Sequence, residues 1–274
     1  MENKYVIING EFIPEEKAVL KISDLSIQRG YGVFDFFKII NHKFIFLDYH
    51  IERFFNSSSR LRLNPGIGKE ELKELFTELH ERHNIADAGI RITLTGGYST
   101  DGYTPSQPNM IITHSPVNAE QMFEADPVSI ITYNHQRQMP EVKTIDFLMA
   151  IWLQPMVKEQ QAQDVLYHNN GWMRECPRAN FFIVTKDDAL VTPSENILKG
   201  ITRMHILKHA KENNIQVEER EISLEELYNA REVFITSSTK NILPVNKIDG
   251  KLINSGKKGE LTFRMREILN SSMK

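Results

Sequence analysis

Lys143 stands in Pro140-Glu141-Val142-Lys143-Thr144-Ile145-Asp146-Phe147-Leu148, where a strand-like pattern stops and a helical one begins. An amine held and desolvated at such a junction becomes a nucleophile toward aldehydes, because burial disfavours its charged form. The same residue type there is also an ordinary surface cation, and this segment by itself favours that reading. Glu175 follows 32 residues later, just ahead of the apolar run Phe181-Phe182-Ile183-Val184. Next, Ile197-Leu198-Lys199-Gly200-Ile201-Thr202-Arg203 reads as a loop feeding a helix. The first N–H groups of such a helix, its dipole and the Thr202 hydroxyl make a ready anion site. A strand from Val233 to Thr236 then ends in the hydroxyl cluster Ser237-Ser238-Thr239. Each signal alone is weak.

Other chemistries lose their support. Among nine histidines only His205 and His209 have the i, i+4 spacing of two ligands on one helical face, and no glutamate follows His205. We read that pair as helix surface and expect no metal. Neither Gly-x-Ser-x-Gly nor Gly-x-x-x-x-Gly-Lys-Ser/Thr occurs. The single cysteine, Cys176, has no partner for a disulfide, a redox pair or a thiolate cluster.

The elements that must position these residues are legible in outline. Tyr5-Val6-Ile7-Ile8, Asn9-Gly10 and Glu11-Phe12-Ile13 predict a two-residue hairpin. Helical stripes follow at Ile51, Phe54, Phe55 and Leu61, and at Leu72, Leu75, Phe76 and Leu79. Gly89 to Thr95 alternates, so that Ile90, Ile92 and Leu94 share one face and Arg91 points to the other. Met110 to Thr113 is a further strand, and Ser115 to Ala119 is the candidate linker. Beyond it, strands at 128–133, 165–168, 181–185 and 233–236 alternate with helices starting near Ile145, Thr202, Ser223 and Gly259. Two α+β domains, 1–118 and 119–274, are expected.

With 274 residues the chain can bury a substantial core. Its 33 Lys+Arg against 36 Asp+Glu lack the basic excess of a phosphate-backbone binder, so no nucleic-acid partner is expected. No apolar run approaches the roughly 20 residues that span a bilayer. The N-terminus enters a strand pattern without a leader-like apolar region, and a cytoplasmic protein with no membrane partner is the expectation.

Taken together, the order and spacing of these signals resemble the fold-type IV pyridoxal-phosphate enzymes. That family contains D-amino acid aminotransferases, branched-chain aminotransferases and aminodeoxychorismate lyases. Gly32-Val33-Phe34 and His50-Ile51-Glu52-Arg53-Phe54 look like further family elements, the latter like its His-x-x-Arg-Leu helix. The resemblance implies a two-domain α+β fold, with pyridoxal 5'-phosphate in a cleft between domains and the catalytic lysine in the second. It implies a homodimer. Lys143 would hold the cofactor as a Schiff base and shuttle the substrate proton. Glu175 would partner the pyridine nitrogen. Arg53, the Ile201 and Thr202 backbone, the Thr202 hydroxyl and Ser238 with Thr239 would hold the phosphate. Phe34 would wall the substrate pocket.

Departures from the family pattern point to the substrate. Aligned on Asp24 to Asp35, the chain has Arg29 where the family has tyrosine. Arg91 resembles an arginine that branched-chain enzymes place beside the cofactor's phenolic oxygen. Two arginines suit a permanent α-carboxylate better than an aliphatic side chain, which would desolvate both charges without compensation. Leu148 stands where branched-chain enzymes often carry tyrosine. Against this, Gly96-Gly97-Tyr98-Ser99-Thr100 replaces the Arg-x-His motif of some D-amino acid enzymes of the family. Arg178 is a further candidate for substrate contact, or a solvent-facing strand residue. Cys176-Pro177 replaces a Gly-Ser pair. The expectation is transamination of a D-amino acid with 2-oxoglutarate or pyruvate; a branched-chain L-amino acid aminotransferase and an aminodeoxychorismate lyase are the alternatives.

Overall fold

The computed structural model describes residues 4–119, 126–256 and 259–273. The chain forms two units, Met1–Ala119 with Val142–Asp146, and Glu120–Glu141 with Phe147–Lys274. Lys143 and its neighbours lie in the first unit. The reason is backbone pairing, described below.

In the first unit, β1 (Tyr5–Ile8), β2 (Glu11–Pro14), β3 (Gly32–Ile40), β4 (Lys43–Phe44), β5 (Ala88–Thr95) and β6 (Met110–Pro116) form one sheet in the order β2-β1-β6-β5-β3-β4. Every pairing is antiparallel. The first hairpin turns on Asn9 and Gly10, both at positive φ, as a tight turn matched to strand twist requires. Helices α2 (Leu47–Arg60) and α3 (Lys69–His83) bury their apolar stripes on one face of the sheet. There Ile51, Phe54, Leu72, Phe76 and Leu79 meet Val33, Phe37, Ile90, Ile92 and Leu94. Each such fully buried side chain contributes roughly 1.5–3 kcal/mol over an exposed one. Helix α1 (Leu25–Arg29) is set by Asp24, whose carboxylate accepts from Ser26 N, Thr95 Oγ1 and Asn109 Nδ2 at 2.7–2.8 Å. Gly30 closes that helix in the left-handed conformation.

The second unit is built on nine described strands. These are β7 (Val128–Asn134), β8 (Asp164–Asn169), β9 (Trp172–Met173), β10 (Asn180–Val184), β11 (Leu190–Thr192), β12 (Val217–Glu219), β13 (Glu232–Ser237), β14 (Asn241–Ile248) and β15 (Lys251–Leu252). Their order is β12-β11-β10-β13-β14-β7-β8-β9, with β15 on β14. β10 and β13 lie mid-sheet and are buried on both faces, which is why they read as unbroken apolar runs. The helices are α4 (Leu148–Trp152), α5 (Gln154–Glu159), α6 (Ile201–Glu212), α7 (Leu224–Asn229) and α8 (Glu260–Ser271). Ser223 caps α7 as its Ser-x-x-Glu pattern predicts, accepting from Glu226 N at 3.1 Å. The helix expected from Ile145 begins instead at Leu148, because Thr144 and Ile145 pair with the start of β3. His205 is buried within α6, which corrects the reading of the His205 and His209 pair as helix surface: α6 is covered along much of its length.

No helix among the described residues is long and apolar enough to cross a membrane.

Candidate active site

Lys143 is held against β3 by its own backbone. Phe34 N donates to Lys143 O at 3.0 Å and Ile145 N to Gly32 O at 3.1 Å, so 143–145 runs alongside the start of β3. Lys143 N also donates to Ser57 Oγ of α2 at 3.3 Å. Gly32 is required at this crossing, since a Cβ there would sit 2.7 Å from Leu94 O and 3.0 Å from Ile145 Cδ1. The lysine is half-buried, and its Nζ stands 4.6 Å from the centroid of the Phe34 ring.

Phe34 projects from the sheet face opposite α2 and α3, as does Arg91, which lies across from Phe36. The Arg91 guanidinium carbon is 4.0 Å from the same ring centroid, within cation–π range. As its alternation predicted, Arg91 is exposed while Ile90 and Ile92 are buried. Its remaining bond is a long one from Nε to Thr93 Oγ1, 3.4 Å, and among the described residues it has no ion-pair partner. Arg29 is the exposed last residue of α1, its Nη1 donating to Gln28 O at 2.9 Å. The two arginines share no hydrogen bond.

The opposite face carries a cluster that sequence reading missed. Asp35, 1% exposed, accepts from Arg53 Nε and Nη2 at 2.8 Å each and pairs with His50 Nδ1 at 2.7 Å. Burial alone would raise the Asp35 pKa, but Arg53 and then His50 override it and hold the carboxyl well below the ordinary range. His50 is pushed down by burial, only partly offset by Asp35, and Arg53 and Lys143 push it the same way. Its Nδ1 stays within hydrogen-bond distance of the Asp35 carboxylate. Arg53 is thus oriented by Asp35, and its Nη1 is the guanidinium nitrogen with no bond among the described residues.

In the second unit Glu175 is buried ahead of β10. Its Oε1 accepts from Arg137 Nη1 at 2.8 Å and its Oε2 from Leu198 N at 3.0 Å and Asn180 Nδ2 at 3.4 Å. Asn180 also donates to Leu198 O at 2.7 Å and accepts from Gly200 N at 3.1 Å, which seats the loop that enters α6. A Cβ at Gly200 would meet Asn180 Oδ1 at 2.2 Å, so only glycine allows this approach. Gly200 caps α6 without a side chain, leaving the first-turn N–H groups of Ile201 and Thr202 outside the helix's own bonding. Thr202 is buried there. Across from Asn180 in the β10–β13 register lies Thr236, whose buried Oγ1 has no hydrogen-bond partner. Ser238 and Thr239 occupy the turn after β13, where Thr239 Oγ1 is 3.2 Å from Ser237 Oγ. Arg178 is exposed in the tight Cys176 to Ala179 turn, not on a strand. The Cys176 thiol is buried and pushed well up by burial.

Of the missed residues, only Asp35 carried a sequence signal, a charge inside the apolar run Gly32-Val33-Phe34-Asp35-Phe36-Phe37. A buried carboxylate demands a partner. Arg137 and Asn180 had none, because their partners come from distant segments. Histidines scattered along the chain also gather. His42 Nδ1 is 3.1 Å from His80 Nε2, and His80 Nδ1 is 3.1 Å from His114 Nε2. His80 offers a different nitrogen to each neighbour, so these form a chain without a common centre. Among the described residues no group is placed to hold a metal.

Residues 32–248 match the sequence profile of the family described as amino-transferase class IV. The D-alanine aminotransferase of Bacillus licheniformis is 28% identical, over 98% of this chain and 96% of that protein. A putative branched-chain-amino-acid aminotransferase of Methanocaldococcus jannaschii is 31% identical over 96% and 94%. Among solved structures, the branched-chain amino acid aminotransferase of Escherichia coli superposes with a TM-score of 0.90 at 25% identity, covering 99% of this chain and 94% of that one.

Proposed function

Since the chain belongs to the class IV aminotransferases, which use pyridoxal phosphate to exchange an amino group between amino and oxo acids, we propose that its donor is a D-amino acid and its acceptor 2-oxoglutarate or pyruvate. Arg91 carries this reading. It is a cation beside Phe34 with no carboxylate partner among the described residues, on the same ring as Lys143. A substrate α-carboxylate supplies the missing anion, in the bidentate geometry guanidinium favours. Arg29 is its proposed second partner. The D-alanine aminotransferase relative supports the same choice.

The residues present fit the cofactor. Thr236 Oγ1 is an orphaned buried hydroxyl beside the seat of α6, and the close approach at Gly200 presents that helix's N-terminus to an anion. When bound, pyridoxal phosphate supplies an electron sink for the bond cleaved at the substrate Cα. Lys143 holds it and moves the proton at that carbon. Glu175, secured by Arg137, Asn180 and the Leu198 amide, favours a protonated ring nitrogen. Arg53, Ile201, Thr202, Ser238 and Thr239 hold the phosphate. We further propose a homodimer, supported by Leu148, Ile151 and Trp152, which α4 leaves exposed together.

A branched-chain L-amino acid donor is the second reading, favoured by the archaeal relative. Absorbance of the holoenzyme decides between them. D-glutamate or D-alanine is expected to bleach the pyridoxal band faster than L-leucine or L-glutamate; faster bleaching by L-leucine would falsify the D-specific proposal.

A further inference from the structure

Phe34 has two cations on one ring. The Arg91 guanidinium lies 4.0 Å and the Lys143 ammonium 4.6 Å from its centroid. The ring cannot swing away from either, because Phe34 is 7% exposed and its backbone is bonded directly to that of Lys143. Phe34 N donates to Lys143 O, so the aromatic face and the lysine sit on two segments joined backbone to backbone at these residues. A benzene ring attracts a cation by its quadrupole and carries no charge of its own, so it can position both groups without neutralising either. A carboxylate in the same place would hold them more strongly and compete with a substrate anion for both.

We propose that Phe34 is a positioning residue that couples the proton-moving amine to the carboxylate-binding guanidinium: its ring holds the Lys143 ammonium and the Arg91 guanidinium at set heights and keeps both available to substrate. This rests on the roles proposed above for Lys143 and Arg91. Two like charges sharing one ring oppose each other. Removing the ring therefore destabilises the Lys143 ammonium, and removing Arg91 stabilises it. Lys143 also acts electrostatically on His50 of α2, a residue that neither change replaces.

The test is the midpoint pH at which Lys143 reacts with an amine-directed reagent, read by mass spectrometry of its peptide. The enzyme is first converted by excess amino donor to its pyridoxamine phosphate form, which releases the lysine. Phe34→Leu is expected to lower that midpoint by roughly half a unit to one unit and to raise KM for the amino donor by roughly 3- to 10-fold, from the size of partly desolvated cation–π contacts. Phe34→Tyr, which keeps the ring, recovers the midpoint, whereas Arg91→Leu moves it upward. A packing role for Phe34 alone predicts no opposite movement. If Phe34→Leu leaves the Lys143 midpoint in place while Arg91→Leu still raises KM, the coupling is wrong and the carboxylate reading stands. If Arg91→Leu leaves KM unchanged while Phe34→Leu shifts the midpoint, the carboxylate reading is wrong and the ring's hold on Lys143 stands.

Discussion

Phe34 and Asp35 are neighbours in the chain and face opposite sides of β3, and the two sides treat their arginines differently. Beneath the sheet, Arg53 meets a buried carboxylate that takes two of its nitrogens at 2.8 Å, with His50 completing the cluster. Above it, Arg91 meets an aromatic ring and a threonine hydroxyl. A carboxylate partner spends most of a guanidinium's binding capacity on the fold. A ring orients it and leaves that capacity for a ligand. The period-two geometry of a strand lets adjacent residues serve both ends at once.

The largest test of that contrast is Asp35→Ala. It strands a buried cation, so unfolding free energy is expected to fall by about 3–5 kcal/mol, the cost of breaking a buried pair from one side. Chemical denaturation measures this, and a loss within the range of a surface substitution would dissolve the distinction between the faces. Arg91→Leu is the counterpart. Its stability is expected to stay within ~0.5 kcal/mol of the parent. KM for a D-amino acid should instead rise by roughly 10- to 100-fold, as for a lost hydrogen bond to a charged group at about 1.5–3 kcal/mol. A destabilised variant with unaltered KM would show Arg91 to be structural.

A smaller effect sharpens the comparison at the far end of the same sheet, where, among the described residues, no carboxylate is hydrogen-bonded to His42, His80 or His114. Burial lowers the pKa of His80, and lowers that of His114 to about 4. An unfolded histidine titrates near 6.5, so below that pH the unfolded chain binds more protons. Stability is therefore complete above about pH 6.5 and declines as pH falls toward 4. His114→Gln should flatten this acid slope in melting temperatures recorded between pH 7.5 and 4.5. An unchanged slope would place the proton uptake elsewhere.

Much of the framework was legible because its signals are local. The Asn9-Gly10 hairpin, the apolar stripes of α2 and α3, the Ser223 cap and the outward direction of Arg91 each follow from residues a few positions apart. What escaped depended on partners far along the chain. The carboxylate of Glu232 accepts from Leu261 N and Thr262 N and so caps α8 from 29 and 30 residues away. Arg137 reaches Glu175 from 38 residues away. The start expected at Ile145 failed for a related reason: the apolar pattern of 145–152 suits a helix, yet Ile145 N donates to Gly32 O, a partner far back in the chain.

The sequence by itself determined the kind of protein this is, through a lysine, a glutamate, a glycine-led helix start and a hydroxyl turn in fixed order. It also determined which way Arg91 points, since alternation in a strand is a property of the backbone. Only the tertiary structure decided which of these arginines meets a carboxylate and which meets a ring. Ion pairing acts over a few ångströms of space whatever the separation along the chain, so Arg53 is held by Asp35 from 18 residues away while Arg91, among the described residues, gains a ring and a hydroxyl.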